Sequence, residues 1–348
     1  MRKRGFVVGA LLAVLGVACS NAAPTPGASK PPATHAAASP SAAAPSPTAL
    51  PAGLSAVVGT DPYPFGVTYA FDRVWVTSHD GNSVNAIDPV AEQVVRTVGL
   101  SVQPGSVVSG GGFIWVQSRT DATIARIDPA TYEMTTVTLN ETDDLTCSIA
   151  FAHGLVWAAT VGESEDDGTI YQIDPATSSV VATVPVKGFP CGWAPMGDGV
   201  WTAFEDGVIE VVPGRDKARI VPVEGFRGLT WLAAADAGRL YVTSTDGMIG
   251  TNVYRLTTSG KVTGTLHRAS DTLLVVEIAD PGIWFTSYGT DDVLVMDPVT
   301  MELAAQGTLD TGEVVPDPTM GLDQLWLPDA SRTAVVHIDA AEFLKPAA

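Results

Sequence analysis

From residue 53 onward, apolar and polar positions alternate in short runs, each broken by glycine, proline, aspartate or asparagine. That alternation is the mark of β-strands with one face buried, and no stretch sustains a helical period. One run in every unit carries a large aromatic residue: Trp75, Trp115, Trp157, Trp201, Tyr241, Trp284 and Trp326. The gaps between them are 40, 42, 44, 40, 43 and 42 residues, so a single supersecondary unit recurs seven times. In the first copy the order is Pro64-Phe65-Gly66 leading a strand, a tight turn at Asp72-Arg73, Val74-Trp75-Val76, a polar loop His79-Asp80-Gly81-Asn82, and then Val84-Asn85-Ala86-Ile87. That third strand ends in Asp88-Pro89, and the pair returns at Asp128-Pro129, Asp174-Pro175 and Asp297-Pro298. Proline cannot donate to a ladder and the aspartate side chain favours a turn, so the pair stops one strand and opens the hairpin to a fourth, such as Gln93–Val98.

Four antiparallel strands per repeat predict an all-β fold, a seven-bladed β-propeller over residues 53–348. Two copies are degenerate, with Val212-Pro213 and Leu256-Thr257 where Asp-Pro belongs. The last copy ends at Ile338-Asp339 with no outer strand, while Leu54–Val58 precede the first unit with no partner. The leading segment is therefore expected to serve as the outer strand of the last blade, joining the two ends of the ring.

Residues 1–18 carry a different pattern: basic Arg2, Lys3 and Arg4, then an apolar run from Phe6 to Val17, with Ala18 before Cys19. This reads as an export signal, too short in its apolar run for a bilayer span of roughly 20 residues. A small residue before a cysteine at this place resembles the bacterial lipobox, with Leu15 one position early and Gly16 at the third position before Cys19. The resemblance implies lipidation of Cys19; the alternative is an ordinary secretory cut after Ala22. Residues 19–52 are almost wholly alanine, proline, serine and threonine, a composition without the apolar residues to build a core, and so an expected disordered tether. Together these segments point to a cell-membrane, lipid-anchored protein on the extracytoplasmic side.

The chain carries 38 acidic and 19 basic residues, a net charge of −19. Because Arg2, Lys3, Arg4 and Lys30 all precede the first acidic residue, Asp61, the propeller is more acidic still. Such a surface excludes nucleic acid as a partner. The membrane is expected to be met through the lipid alone, and the head is expected to be monomeric.

The repeat resembles the bacterial propellers of the YVTN, quinoprotein-like and streptogramin-lyase kind across essentially all of residues 53–348. The shared pattern is Pro-x-Gly, then Val-Trp-Val or Val-Trp-Ala, then Ile-Asp-Pro-x-Thr. The resemblance implies the propeller fold and leaves function open among enzymes, binding modules and scaffolds. Streptogramin lyases are understood to use a histidine acid/base with glutamates holding magnesium, part of it on a Glu-x-His motif. In this chain Glu277 is followed two places on by Ala279, and His79, His153, His267 and His337 each lack a glutamate two places before.

Cys147 and Cys191 each lie ten residues before the blade aromatic, Trp157 and Trp201. They therefore occupy the same site in adjacent blades, where inner strands converge, and an exported protein is expected to join them as a disulfide. The loops entering each first strand and those between second and third strands share one face, the default place for a ligand. The candidates there are Tyr63, Phe65, His79, Arg119, Phe189, Arg227, Asp271, Tyr288 and Asp317. Glu163, Glu165, Asp166 and Asp167 supply oxygens that calcium favours, without the spacing of an EF-hand. Glu277, set in an otherwise apolar inner strand, and His79 are the candidates for acid/base work. No cofactor is expected, a divalent cation being the one that acidic loops could hold. The primary reading is a tethered head that binds an envelope protein or small ligand without catalysis. The alternative is a metal-assisted lyase or hydrolase.

Overall fold

The computed structural model describes residues 54–139, 144–145, 148–161, 168–188, 190–226, 229–236, 238–245, 250–269, 272–279, 282–288, 292–308 and 319–344. The strands form seven separate antiparallel sheets, six of four strands and one of five. Five of the four-stranded sheets run in simple chain order. The first holds Pro64–Ala70, Arg73–Ser78, Ser83–Asp88 and Gln93–Gly99. In the third sheet the first strand is divided into Asp144–Leu145 and Ala150–Ala152, both paired with Leu155–Val161. The first strands of adjacent sheets touch one another, which places them at the centre of the ring and the fourth strands at the rim.

Closure follows the expectation from sequence. Leu54–Gly59 pairs antiparallel with Ala334–Asp339, from Leu54 opposite Ile338 to Gly59 opposite Ala334. The last sheet is thus made of three strands from one end of the domain and one from the other.

The periodic aromatics explain the period. Each is buried, and each packs into the wedge between its own sheet and the next. Trp75 sits with Val84, Ala86 and Val98 of its own blade against Val107, Ile114, Val116 and Ile127 of the second. Trp326 does the same between the last blade and the first, with Val58, Val335, Val67, Val74, Val76 and Ile87. An aromatic side chain removes some 150–250 Å² from water, so these seven supply much of the apolar contact between blades. The indole also needs a hydrogen-bond acceptor. In four blades it finds the same one, the carbonyl five residues earlier at the end of the first strand: Trp75 to Ala70 at 3.1 Å, Trp115 to Gly110 at 3.0 Å, Trp157 to Ala152 at 3.0 Å and Trp326 to Gly321 at 3.3 Å. Tyr241 reaches further, donating its hydroxyl to the Pro298 carbonyl of the next blade at 3.1 Å.

The Asp-Pro turns work as the side chain dictates. Asp88 Oδ1 accepts from the backbone of Val90 and Ala91 at 3.0 Å each, and Asp297 Oδ1 from Val299 at 2.6 Å and Thr300 at 2.9 Å. Those backbone donors favour the carboxylate and hold both pKa values below the ordinary aspartate value. Asp339, lacking its proline, caps the single helical turn Ala340–Phe343 by accepting from Glu342 N at 2.9 Å. The degenerate copies substitute other groups. In blade four Gln172 of the neighbouring blade holds the turn, accepting from Gly214 N at 2.8 Å and donating to the Arg215 carbonyl at 3.1 Å. In blade five the Thr257 hydroxyl takes the aspartate's part, accepting from Lys261 N at 3.2 Å.

One titratable group lies at the seam. His337, in the strand that receives the leading segment, is 2% exposed, its ring centroid 4.3 Å from that of Trp326 and its Nε2 3.5 Å from Glu92 Oε1 of the first blade. Burial pulls its pKa below the ordinary histidine value, against an opposite pull from Glu92. The unfolded chain therefore takes up the proton first. Stability from this group is full above about pH 6.5 and falls as pH drops from there toward the folded-state value. Thermal melts between pH 7.5 and pH 5 are expected to show a falling Tm that flattens in a His337→Phe variant. Separately, Val58→Asp places a carboxylate in the seam core and is expected to cost about 3 kcal/mol or more in urea unfolding.

Candidate functional site

Among the described residues, candidate side chains converge where blades one and two meet. Two backbone hydrogen bonds build it, one in each blade: His79 N donates to the Tyr63 carbonyl and Arg119 N to the Gln103 carbonyl, each at 2.8 Å. Each bond clamps the start of a first strand to the loop after the second, so entering loop and second-to-third loop share one rim, as the alternation of strands requires.

Blade one is then locked to blade two through a buried threonine. Thr77 Oγ1 accepts from Gly66 N at 2.8 Å and donates to the Gly105 carbonyl of the second blade at 2.7 Å. The two first strands approach so closely that a Cβ on Gly66 would lie 3.1 Å from the Gly105 oxygen and from Val107 N. Only glycine tolerates that approach without displacement.

Four residues stand on this platform, and all four are half-buried. The guanidinium carbon of Arg119 lies 4.7 Å from the centre of the Phe65 ring, across the blade boundary. Tyr63 and His79 rings lie 5.6 Å apart, tilted by 57°. Tyr63 holds a positive φ of 55°, an uncommon backbone conformation for an aromatic residue, fixed by the Tyr63 to His79 clamp. His79 Nδ1 lies 2.8 Å from Asp80 Oδ1, an exposed carboxylate that orients the ring and leaves Nε2 turned to other partners. Burial lowers the Arg119 pKa, with the Tyr63 phenol acting in the other direction. The group remains a cation throughout the ordinary pH range.

The nearest acid in the entering loop is occupied elsewhere. Asp61 Oδ2 accepts from Ser83 Oγ at 2.5 Å and Asn85 Nδ2 at 3.0 Å, and Asn85 also donates to Thr97 at 2.9 Å. This network stiffens the loop that carries Tyr63.

Of the candidates drawn from sequence, Tyr63, Phe65, His79 and Arg119 are brought together. Phe189, Arg227, Asp271 and Asp317 lie outside the described residues, as do Glu163, Glu165, Asp166 and Asp167. Tyr288 ends its strand opposite Thr272 and Glu277 pairs with Trp284 across its ladder; only their backbone is described. Among the described residues no three histidine, cysteine, aspartate or glutamate side chains converge as a metal site would require. Cys191 is fully buried, opposite Ala203, while Cys147 lies outside the described residues. Sequence reasoning missed Thr77. Its one signal was a polar residue directly after the Val-Trp-Val core, a place that in blade two is Gln117.

No known protein family and no curated protein matches this sequence. Solved structures do. The virginiamycin B lyase of Staphylococcus aureus superposes with a TM-score of 0.66 at 15% identity, over 81% of this chain and 97% of the lyase. BamB from Moraxella catarrhalis gives 0.54 at 14%, over 79% and 82%. A chain of the mitotic checkpoint complex gives 0.67 at 10%, over 89% and 98%. The likeness is one of fold.

Replacing Thr77 by valine keeps the shape and removes both hydrogen bonds, stranding two backbone groups between blades. The variant is expected to lose about 1–3 kcal/mol in urea unfolding. Its amide at Gly66, the donor to the lost hydroxyl, is expected to exchange hydrogen faster than those of distant blades.

Proposed function

We propose that this protein is a membrane-tethered extracytoplasmic lipoprotein whose acidic propeller head binds a partner protein or small envelope ligand without catalysis. The observation that carries the reading is the rim of blades one and two. There Tyr63, Phe65, His79 and Arg119 form a half-buried aromatic and cationic surface on a rigid platform. Aromatic residues and arginine are the side chains that dominate recognition surfaces, because they bring large contact area with little rotamer entropy to lose. The absence of a Glu-x-His motif argues for binding over lyase chemistry.

In this reading the signal ends before Cys19, lipid on that cysteine holds the chain to the membrane, and the alanine- and proline-rich segment carries the head away from the surface. Cys147 and Cys191 join as a disulfide between blades three and four. That pairing is supported by Trp193, two residues beyond Cys191, whose indole donates to the carbonyl of Ser148, the neighbour of Cys147, at 3.0 Å.

Tagged protein captured from detergent-solubilised envelope of its own host is expected to bring down a partner that a Phe65→Ala, Tyr63→Ala double variant loses and that chelator leaves in place. Capture unaffected by the double variant overturns the assignment of this rim. A turnover activity abolished by chelation or by Glu277→Gln would replace the binding reading with the enzymatic one. Lipidation is read separately: metabolic labelling with an alkyne fatty acid is expected to mark the wild type and to leave Cys19→Ala unlabelled.

A further inference from the structure

Among the described residues three arginines, Arg96, Arg119 and Arg126, have heads that lie over an aromatic ring without an ion pair. Of these Arg119 is the one in a loop between second and third strands. In a protein with twice as many acidic as basic residues, others find protein acceptors: Arg73 on Asp88, Arg219 on Glu210, Arg332 on Asp329, and Arg255 on the carbonyls of Pro298, Val299 and Thr263. The Arg119 head has no ion pair and no side-chain hydrogen bond among the described residues. It lies over the Phe65 ring. Three described acids of these loops are engaged elsewhere: Asp61 with Ser83 and Asn85, Asp80 with His79, and Asp121 with Thr123.

A half-buried guanidinium with no protein acceptor keeps its N–H donors available to a ligand. Its position over Phe65 restrains the planar group while leaving its N–H donors available, and a paired set of parallel donors matches a carboxylate. We propose that Arg119 anchors a recognition site for a single carboxylate carried beside an aromatic or apolar group. Phe65 and Tyr63 receive the apolar body. A lone carboxylate fits better than a phosphate cluster or an acidic run, because the net charge of −19 repels polyanions at long range and tolerates one negative charge met at contact. The inference rests on the binding reading above and names the chemistry of what is bound.

The test uses the purified protein and two probes, N-acetyl-phenylalanine and its uncharged amide, titrated calorimetrically at low salt. Wild type is expected to prefer the carboxylate by about tenfold or more, the margin a charge-assisted pair supplies. Arg119→Gln is expected to erase that preference, the two probes then binding with equal affinity. Arg119→Lys, which keeps the charge and loses the paired geometry, is expected to retain only part of it. Equal binding of the two probes to wild type, no binding of either, or a preference that survives Arg119→Gln overturns the proposal. Two envelope captures separate its failure from failure of the binding reading. A partner lost with Phe65→Ala yet kept by Arg119→Gln leaves the binding reading intact and defeats the carboxylate. A partner released by N-acetyl-phenylalanine and not by the amide supports it, with a protein as the source. An empty capture beside an intact probe preference also supports it, with a small molecule as the source.

Discussion

A ring of sheets has one geometric obligation that no single blade can meet: its last sheet must find an outer strand and its last interface must be filled. This chain satisfies both with its own beginning, since Leu54–Gly59 completes the sheet of Ala334–Asp339. Val58 from that strand then enters the same core as Trp326, Val335, Val67 and Val74. The other described interfaces lie between blades that follow one another in sequence. Here alone the two ends of the domain must meet, so the whole assembly depends on this non-local pairing, and its loss would open the toroid at one radial seam. At that seam a buried histidine lies against Trp326, and Glu92 of the first blade faces it from across the junction.

Between blades the wedge-filling aromatics do most of the work, and the hydrogen bonds decide where the strands stop. The recurring indole to carbonyl bond ties the second strand of a blade to the end of its first, holding the blade in one register while its apolar face fills the gap to the next. Where the repeat decays, the physics is kept by other atoms. Gln172 does for blade four what aspartate does elsewhere, from across a blade boundary. A degenerate motif in a repeat protein is thus a change of donor and acceptor more than a loss of the turn.

The rim follows from this scaffold. Tyr63 and Phe65 are placed by the loop entering blade one, Arg119 by the loop after the second strand of blade two, and Thr77 sets the distance between them. Rigid strands and a threaded hydrogen bond hold the surface, which favours binding through pre-organisation over adaptation. The face on which ligand candidates should lie was legible from strand alternation. That Arg119 would lie over Phe65 was not, because the two are 54 residues apart in sequence and belong to different repeats.

The amino-acid sequence by itself determined the fold class, the number of units, the closing strand and the positions of the Asp-Pro turns. Each of these rests on local chemistry repeated many times: a period of about 42 residues, alternation within strands, and side chains that favour turns. Tertiary structure alone decided which loop residues meet, which acids are already spent, and how the degenerate turns are held. Those outcomes depend on distances across blade boundaries, set by the close approach of backbone at Gly66 and the packing of aromatics between sheets. Local pattern carries no record of such distances, so the meeting of Arg119 with Phe65 was decided only once the blades were in place.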